Sequence, residues 1–228
     1  MGSEKLRVNL NPEAMRALEQ EWSGLIRSFN PRVEETQVAR VFKDLTSRYS
    51  EPARFYHGLP HVNDLLLLGK EHENTLVHPG LVNLSFWLHD AIYDPTSKTN
   101  EEDSDQCARE ILPELGISAP IIDQTGQFIL VSKTHVLPPD QTDNTDLAFF
   151  IDADLSILAA DPARYELYLQ QIRREYSHMD VAAGRLRRAN FLRGMLGRDR
   201  IFVTLQLAHL EDQARENMER ELRELSSP

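Results

Sequence analysis

Two histidine groups and one acidic group stand out in this sequence. Histidine and aspartate are adjacent at His89-Asp90, where an apolar run ends. Upstream, His57 and His61 stand four positions apart, and downstream Asp154 lies in a second apolar run. Neutral imidazole offers a ring nitrogen and ionised aspartate offers a hard oxygen, and both are good ligands for a divalent cation. The pattern therefore predicts a metal site.

The predicted ligands are His61, His89, Asp90 and Asp154. Two imidazoles and two carboxylates suit an octahedral shell that leaves positions for water and substrate oxygens. The set lacks sulfur, which argues against a structural zinc site. The predicted cofactor is thus a divalent metal ion, and Mn, Mg, Fe, Co, Ni and Zn all stay open. A His-Asp pair alone is weak evidence, because such pairs occur by chance; the conjunction of the groups favours the metal.

These residues need helices that position them. Apolar residues recur at helical spacing along the chain, and no convincing alternating strand pattern occurs, so we expect an all-α fold. His61 lies on an apolar helix that begins near Leu59, and a second helix over about 79–89 ends at the His-Asp pair. A third apolar segment, 147–158, carries Asp154. Three packed helices can aim such side chains at one point.

The same periodicity, with Pro, Asn and Gly as breakers, predicts the remaining helices. They cover about 12–29, 33–49, 101–115, 120–135, 162–178, 181–196 and 204–225. The last is mostly charged and is predicted to be a surface helix. One domain over residues 1–228 is the simplest organisation, and residues 1–50 are open to interpretation as an N-terminal helical extension.

Composition excludes several classes of function. The chain has 228 residues and a net charge of −11. This negative charge argues against general binding to nucleic acids and against binding to anionic membranes. A small anionic substrate stays compatible, because a bound cation can reverse the local field. The first ten residues are polar and unlike a signal peptide, and one cysteine allows no internal disulfide. We therefore expect a cytoplasmic protein with no membrane partner.

Several stretches resemble a known superfamily. Tyr56-His57, followed by His61, is similar to the opening motif of cyclic-nucleotide phosphodiesterases, a branch of the HD superfamily. In that branch the first histidine acts on the leaving oxygen and the second binds metal. More widely, the chain resembles predicted HD-superfamily metal-dependent phosphohydrolases. The matching stretches are 54–61, 86–95, 100–102, 150–158, 172–176 and 211–217.

The resemblance implies an HD-domain helical bundle that cleaves a phosphoester or phosphoanhydride by a metal-activated water. The implied partner is a small phosphorylated substrate such as a nucleotide, and a homo-oligomer is compatible with it. The nucleotide-binding sequence of the cyclic-nucleotide enzymes is not recognisable elsewhere in this chain, so their substrate is not transferred.

Asp152 and Asp154 compete for the last ligand position. On a helix they lie about 200° apart, so only one can face the metal. The resemblance favours Asp154, which stands between Ala153 and Leu155. Asp152 is then expected to be a cap or a salt-bridge partner.

Three residues are candidates for catalysis. His57 could protonate the leaving oxygen, because the ordinary pKa of histidine lies near neutrality; alternatively it caps the helix or binds a backbone carbonyl. Glu101 and Glu102 could orient a metal-bound water. They also stand in a predicted first helical turn, where acidic residues are favourable without any catalytic role.

Four residues are candidates for substrate binding. HD proteins often place another histidine between the HD pair and the last aspartate, which makes His135 a candidate; otherwise it is a helix C-terminal residue. Lys133 could contact phosphate from the same region, or be simply solvated. Arg54 and Arg173 could bind phosphate in a bidentate manner, with ion pairs to residues such as Glu175 as the competing account.

Two other functions stay open. An HD-type di-iron oxygenase generally needs more histidines between His89 and Asp154, where only His135 is available. A non-catalytic sensor would keep the ligand set and bind metal or nucleotide without turnover.

Overall fold

The computed structural model describes residues 6–226, and this part of the chain is all-α, as predicted. Residues 1–5 of the segment compared with a signal peptide lie outside the described residues. The helices are α1 (Pro12–Phe29), α2 (Glu35–Arg48), α3 (Leu59–Glu71), α4 (Pro79–Leu88), α5 (Asn100–Ile111), α6 (Ala119–Val131), α7 (Thr145–Leu155), α8 (Pro162–Glu175), α9 (Val181–Leu196) and α10 (Glu211–Ser226). Across the described residues, no helix is both long enough and apolar enough to cross a membrane.

Helix α4 is the centre of the bundle. Seven of its ten residues are buried, and helices α1, α3, α5, α6 and α7 all pack against it. Its sequence, rich in Leu, Phe and Trp, is apolar on every side, which is the pattern of a helix enclosed by others. The two residues that follow α4 are His89 and Asp90, so the chemistry begins where the most buried helix ends.

The N-terminal helix pair shares this core. The indole rings of Trp22 and Trp87 meet edge to face at 5.4 Å between centroids, and Trp22 is fully buried. From the end of α2, the Tyr49 hydroxyl donates to the Trp87 carbonyl at 3.0 Å. Helix α1 therefore packs directly on α4, and the Tyr49 hydrogen bond connects the end of α2 to it.

Helix α6 ends earlier than predicted. The periodicity suggested a helix to His135, but α6 stops at Val131, and His135 has a left-handed backbone with φ of 50°. The Arg198 guanidinium donates to the carbonyls of Thr134 and His135 at 3.1 and 2.8 Å. A left-handed conformation is unfavourable for a non-glycine residue, so these long-range hydrogen bonds support a turn that local sequence does not favour.

The ends of two other helices also differ from the prediction. Helix α5 stops at Ile111 instead of 115, because Pro113 begins a 3₁₀ turn that Gly116 closes with φ of 70°. Helix α10 begins at Glu211 instead of about 204, and it buries one face, so it is not only a surface helix. Its Glu211 carboxylate accepts the backbone N–H of Ile201 and Phe202, which holds that segment outside any helix.

Asp152 fixes the neighbouring part of the same segment. Its carboxylate is fully buried and accepts the backbone N–H of Val203 and Thr204 at 3.1 and 2.8 Å. The Thr204 hydroxyl donates to it at 2.6 Å. Asp152 thus has a structural role, but it binds a non-helical segment instead of capping a helix or forming the salt bridge that the sequence suggests.

We predict that Asp152→Ala lowers the free energy of unfolding by about 2 kcal/mol or more, because three donors lose their acceptor in a buried place. Chemical denaturation would measure this, with metal content unchanged. Asp161→Ala, which removes an exposed N-cap on α8, is the matched control and should cost about 1 kcal/mol. An equal or smaller loss for Asp152→Ala would contradict this role.

Candidate metal centre

Three helix ends bring the predicted ligands together. His61 lies in the first turn of α3, His89 is the C-terminal cap of α4 with Asp90 next to it, and Asp154 is in the last turn of α7. These three helices pack against one another in pairs. The ligands come from distant parts of the chain but meet at one place because α4 is enclosed by α3 and α7.

The distances fit one divalent ion. The Nε2 atoms of His61 and His89 are 3.3 Å apart, and Asp154 Oδ1 lies 3.2 and 3.8 Å from them. Asp90 Oδ2 is 3.2 Å from His89 Nε2. Two ligands bonded at about 2.1 Å, at right angles around one ion, lie about 3 Å apart. His61, His89 and Asp90 also form a compact potential metal-binding group, and Asp154 adjoins both histidines.

A hydrogen bond on the far side of the ring orients His89. Its Nδ1 lies 3.1 Å from the Phe86 carbonyl, where it can only donate. The Nε2 lone pair is then free to face the cluster, which is the usual arrangement for a metal-binding histidine. The ring is also buried, so both packing and hydrogen bonding fix its direction.

The cluster concentrates negative charge in a buried place. Burial alone would raise the pKa of Asp90 and Asp154, yet neighbouring histidines hold both pKa values below their usual range. Burial would likewise lower the pKa of His89, but the Asp90 carboxylate raises it to about 9. The side chains of Asp90 and Asp154 are each 14% exposed. Carboxylates this largely enclosed need nearby positive charge, which a divalent cation would supply.

His57 lies beside the cluster and has a different partner. Its Nδ1 is 2.6 Å from Glu175 Oε2, and its ring stacks on Tyr93 with 4.2 Å between centroids. Burial lowers the pKa of His57, but the Glu175 carboxylate more than offsets this, so that the pKa is raised. The His57 and His61 ring centroids are 6.1 Å apart. His57 is thus close to the predicted ligands, with Nε2 left for another partner.

Glu175 is a residue of the candidate site that the sequence does not reveal. One oxygen accepts the backbone N–H of Phe55, Tyr56 and His57 at 2.7, 2.7 and 3.0 Å, and the other accepts from the Tyr93 hydroxyl at 3.1 Å as well as binding His57. The stretch 172–176 contributes to the resemblance, but the sequence suggests for Glu175 only an ion pair with an arginine. A buried carboxylate on α8 with this many donors organises the whole His57 turn.

Arg54 has a structural position instead of the predicted place at a substrate phosphate. Its side chain is 1% exposed, and its guanidinium donates to the carbonyls of Asp90 and Ala91 at 2.5 and 3.1 Å. It also reaches the His57 carbonyl at 3.3 Å. Its Nε lies 3.2 Å from the Glu51 carboxylate, and its other donors bind backbone oxygens. Arg54 thus joins the turn that carries His57 to the segment that carries Asp90, and it is not available to a ligand.

The two glutamates predicted as candidates for catalysis, Glu101 and Glu102, have different surroundings in the structure. Lys133 Nζ binds both oxygens of Glu102 at 2.5 and 2.7 Å and lies 3.6 Å from Glu101. Glu102 is half exposed in this ion pair, whereas Glu101 lines the cavity described below. The structure therefore leaves Glu101 as the better placed of the two for catalysis.

His135 reaches the metal centre through Asp154. Its Nε2 lies 2.8 Å from Asp154 Oδ2, while Asp154 Oδ1 faces the two buried histidines. The left-handed turn held by Arg198 is what brings the ring to this position. His135 is thus near the predicted metal, as expected, although its direct contact is with a ligand carboxylate.

A cavity of about 600 Å³ opens beside the centre. Most candidate residues line it: His57, Glu101, Lys133, His135, Asp154 and Arg173. Asp154 therefore belongs both to the ligand cluster and to the cavity wall. Among the described residues, no hydrogen bond or ion pair engages the exposed Arg173 guanidinium, so this predicted substrate-binding residue stays available to a ligand.

Comparisons with protein-family models, with curated proteins and with solved structures gave no match. The resemblance to the HD superfamily therefore stays a prediction from the motifs, and the site is interpreted from its own geometry.

We predict about one divalent ion per chain in the purified protein, with most of it lost in His89→Ala and Asp90→Ala. Each change removes a ligand from a buried cluster. His57→Asn is the control and should keep its metal, since His57 is bound to Glu175. Elemental analysis of folded variants is the measurement. Full occupancy in both ligand variants would contradict the assignment, and loss in His57→Asn would make His57 a ligand.

Proposed function

We propose that this protein is a metal-dependent phosphohydrolase that cleaves a phosphoester or phosphoanhydride of a small molecule. The observation that carries the proposal is the position of Asp154. One of its oxygens adjoins the buried His61 and His89, and the residue also lines a cavity large enough for a small-molecule substrate. A cation held there would therefore lie next to bound substrate.

His61, His89, Asp90 and Asp154 are the residues that would hold the ion. A divalent cation in such a site lowers the pKa of water and offsets negative charge on phosphoryl oxygens. The mixed nitrogen and oxygen donor set fits Mn, Fe, Co, Ni or Zn well, and Mg less well because it favours oxygen ligands. Elemental analysis of the purified protein would therefore identify the metal.

His57 is the proposed general acid. The raised pKa favours its protonated form near neutrality, and Glu175 fixes the Nδ1 side of the ring. The proton on Nε2 is then the one that can pass to the leaving oxygen of a substrate in the cavity. A positioned general acid typically contributes about 10²-fold to 10⁴-fold in rate.

Other residues of the cavity supply positive charge and orientation. Arg173 is free to contact phosphoryl oxygens in a bidentate manner. Lys133 lies on the same wall but is held by Glu102, so it contributes mainly by keeping that wall in place. His135 holds the outer oxygen of Asp154, which keeps the inner oxygen directed at the histidines.

The proposal predicts phosphatase activity in metal-stripped protein reloaded with single divalent ions and screened against phosphoesters. On a substrate found this way, His57→Asn should lower kcat by about 10²-fold or more and leave metal content and Tm nearly unchanged. The matched control is His209→Asn, which changes an exposed histidine that hydrogen-bonds to the Gln206 carbonyl away from the candidate site. Metal and phosphate binding without turnover of any phosphoester would favour the sensor instead.

Glu175→Gln should affect the same step less directly. Glutamine keeps the shape of the side chain but offers one acceptor oxygen for five donors, and it cannot raise the pKa of His57 by charge. We expect kcat to fall at neutral pH and the acidic side of the pH-rate profile to keep more activity than the basic side, because the unsupported His57 loses its proton at lower pH. An unchanged profile would show that Glu175 serves only the fold.

A further inference from the structure

The cavity extends beyond what a phosphate needs. About 600 Å³ is the size that encloses a whole small molecule. Part of its wall comes from helices α9 and α10, which carry none of the four predicted ligands. We name the part walled by Leu169, Ile172, Gly184, Phe191 and Leu225 the distal chamber. Most of these side chains are apolar, so the chamber suits an uncharged organic group.

Flat surfaces face one another in this region. The Arg187 guanidinium lies 4.5 Å from the ring centroid of Tyr176. The Arg188 guanidinium lies 5.1 and 5.0 Å from the rings of Tyr168 and Phe191. All five side chains line the cavity. Guanidinium planes and aromatic rings both favour stacking on a further planar group.

One arginine of the cavity wall, Arg188, has its charge paired within the protein. Arg188 forms a two-point ion pair with Glu221, with nitrogen–oxygen distances of 2.8 and 3.0 Å, and also donates to the Tyr168 hydroxyl at 2.9 Å. Because Glu221 neutralises its charge, Arg188 contributes a planar face to the wall instead of a free cation.

We propose that the distal chamber binds a flat aromatic group in the alcohol part of the substrate, either a nucleobase or an aryl ring. The inference rests on the proposed function, because it places the phosphoryl group at the metal centre and the ring between α8 and α9. It narrows the substrate class from small phosphoesters in general to those that carry a planar ring.

Gly184 gives an unusually clean test of this proposal. It lies within α9 and lines the chamber, and a Cβ built on it meets no atom within 4 Å. Leucine there would occupy chamber space without a clash at Cβ, and it is a better helix former than glycine. Gly194 is the matched control, because it lies on the same helix with equal room at Cβ but outside the cavity wall.

The experiment measures binding of phosphonates, whose carbon–phosphorus bond resists hydrolysis, to Mn²⁺-loaded protein by calorimetry. The probes are methylphosphonate, 2-naphthylmethylphosphonate and the phosphonate analogue of adenosine monophosphate. We expect at least one ring-bearing probe to bind about tenfold or more tightly than methylphosphonate. The naphthyl and adenosine probes are then compared with each other. The one with the larger gain in affinity over methylphosphonate shows whether the chamber prefers an aryl group or a nucleobase. Gly184→Leu should abolish that gain without weakening methylphosphonate, and Gly194→Leu should retain it.

Equal binding of all three probes, or an undiminished gain in Gly184→Leu, would overturn the proposal. Failure of the proposed function has a separate signature. In that case Mn²⁺ would not strengthen the binding of any phosphonate, while the neutral probe 2-naphthol would still bind the chamber and lose its affinity in Gly184→Leu. If 2-naphthol and both ring-bearing phosphonates all fail to bind, the chamber itself is not a ligand site.

Discussion

Helix α4 has to be covered on every side, and the architecture follows from this constraint. Five helices pack around it, and its apolar sequence makes any exposed side unfavourable. The chain that leaves its C-terminus begins with His89 and Asp90, so polar groups enter the protein interior where α3 and α7 already converge. Buried carboxylates are costly without compensating positive charge. The same enclosure that stabilises the bundle therefore creates a place where a divalent cation is favourable.

Side chains from distant parts of the chain then hold this place in shape. Arg54 joins the His57 turn to the segment of Asp90, and Glu175 on α8 binds three successive N–H groups of the same turn. Arg198 supports the left-handed turn that directs His135 at Asp154. Each of these residues is charged and turned inward, and each binds backbone. They position the candidate ligands and acid without themselves being ligands.

Much of the fold and part of the site could be predicted because their signals are local. Apolar periodicity and proline positions are local properties, and the adjacency of His89 and Asp90 is visible in the sequence. The role of Glu175 could not be predicted, since its partners lie about 120 positions away. The prediction that Arg54 binds substrate phosphate was wrong for the same reason. A sequence does not show whether a guanidinium binds a phosphate or distant backbone carbonyls. The local sequence predicts a helix as far as His135. The left-handed turn found there depends on Arg198, which lies 63 positions away in the sequence.

The proposed mechanism depends on a divalent ion bound between His61, His89, Asp90 and Asp154. The most direct measurement is anomalous diffraction at the manganese edge from crystals equilibrated with Mn²⁺. We expect a peak about 2.0–2.3 Å from both histidine Nε2 atoms and from an oxygen of each aspartate. A peak coordinated by other residues, or no peak at this position under saturating Mn²⁺, would contradict it.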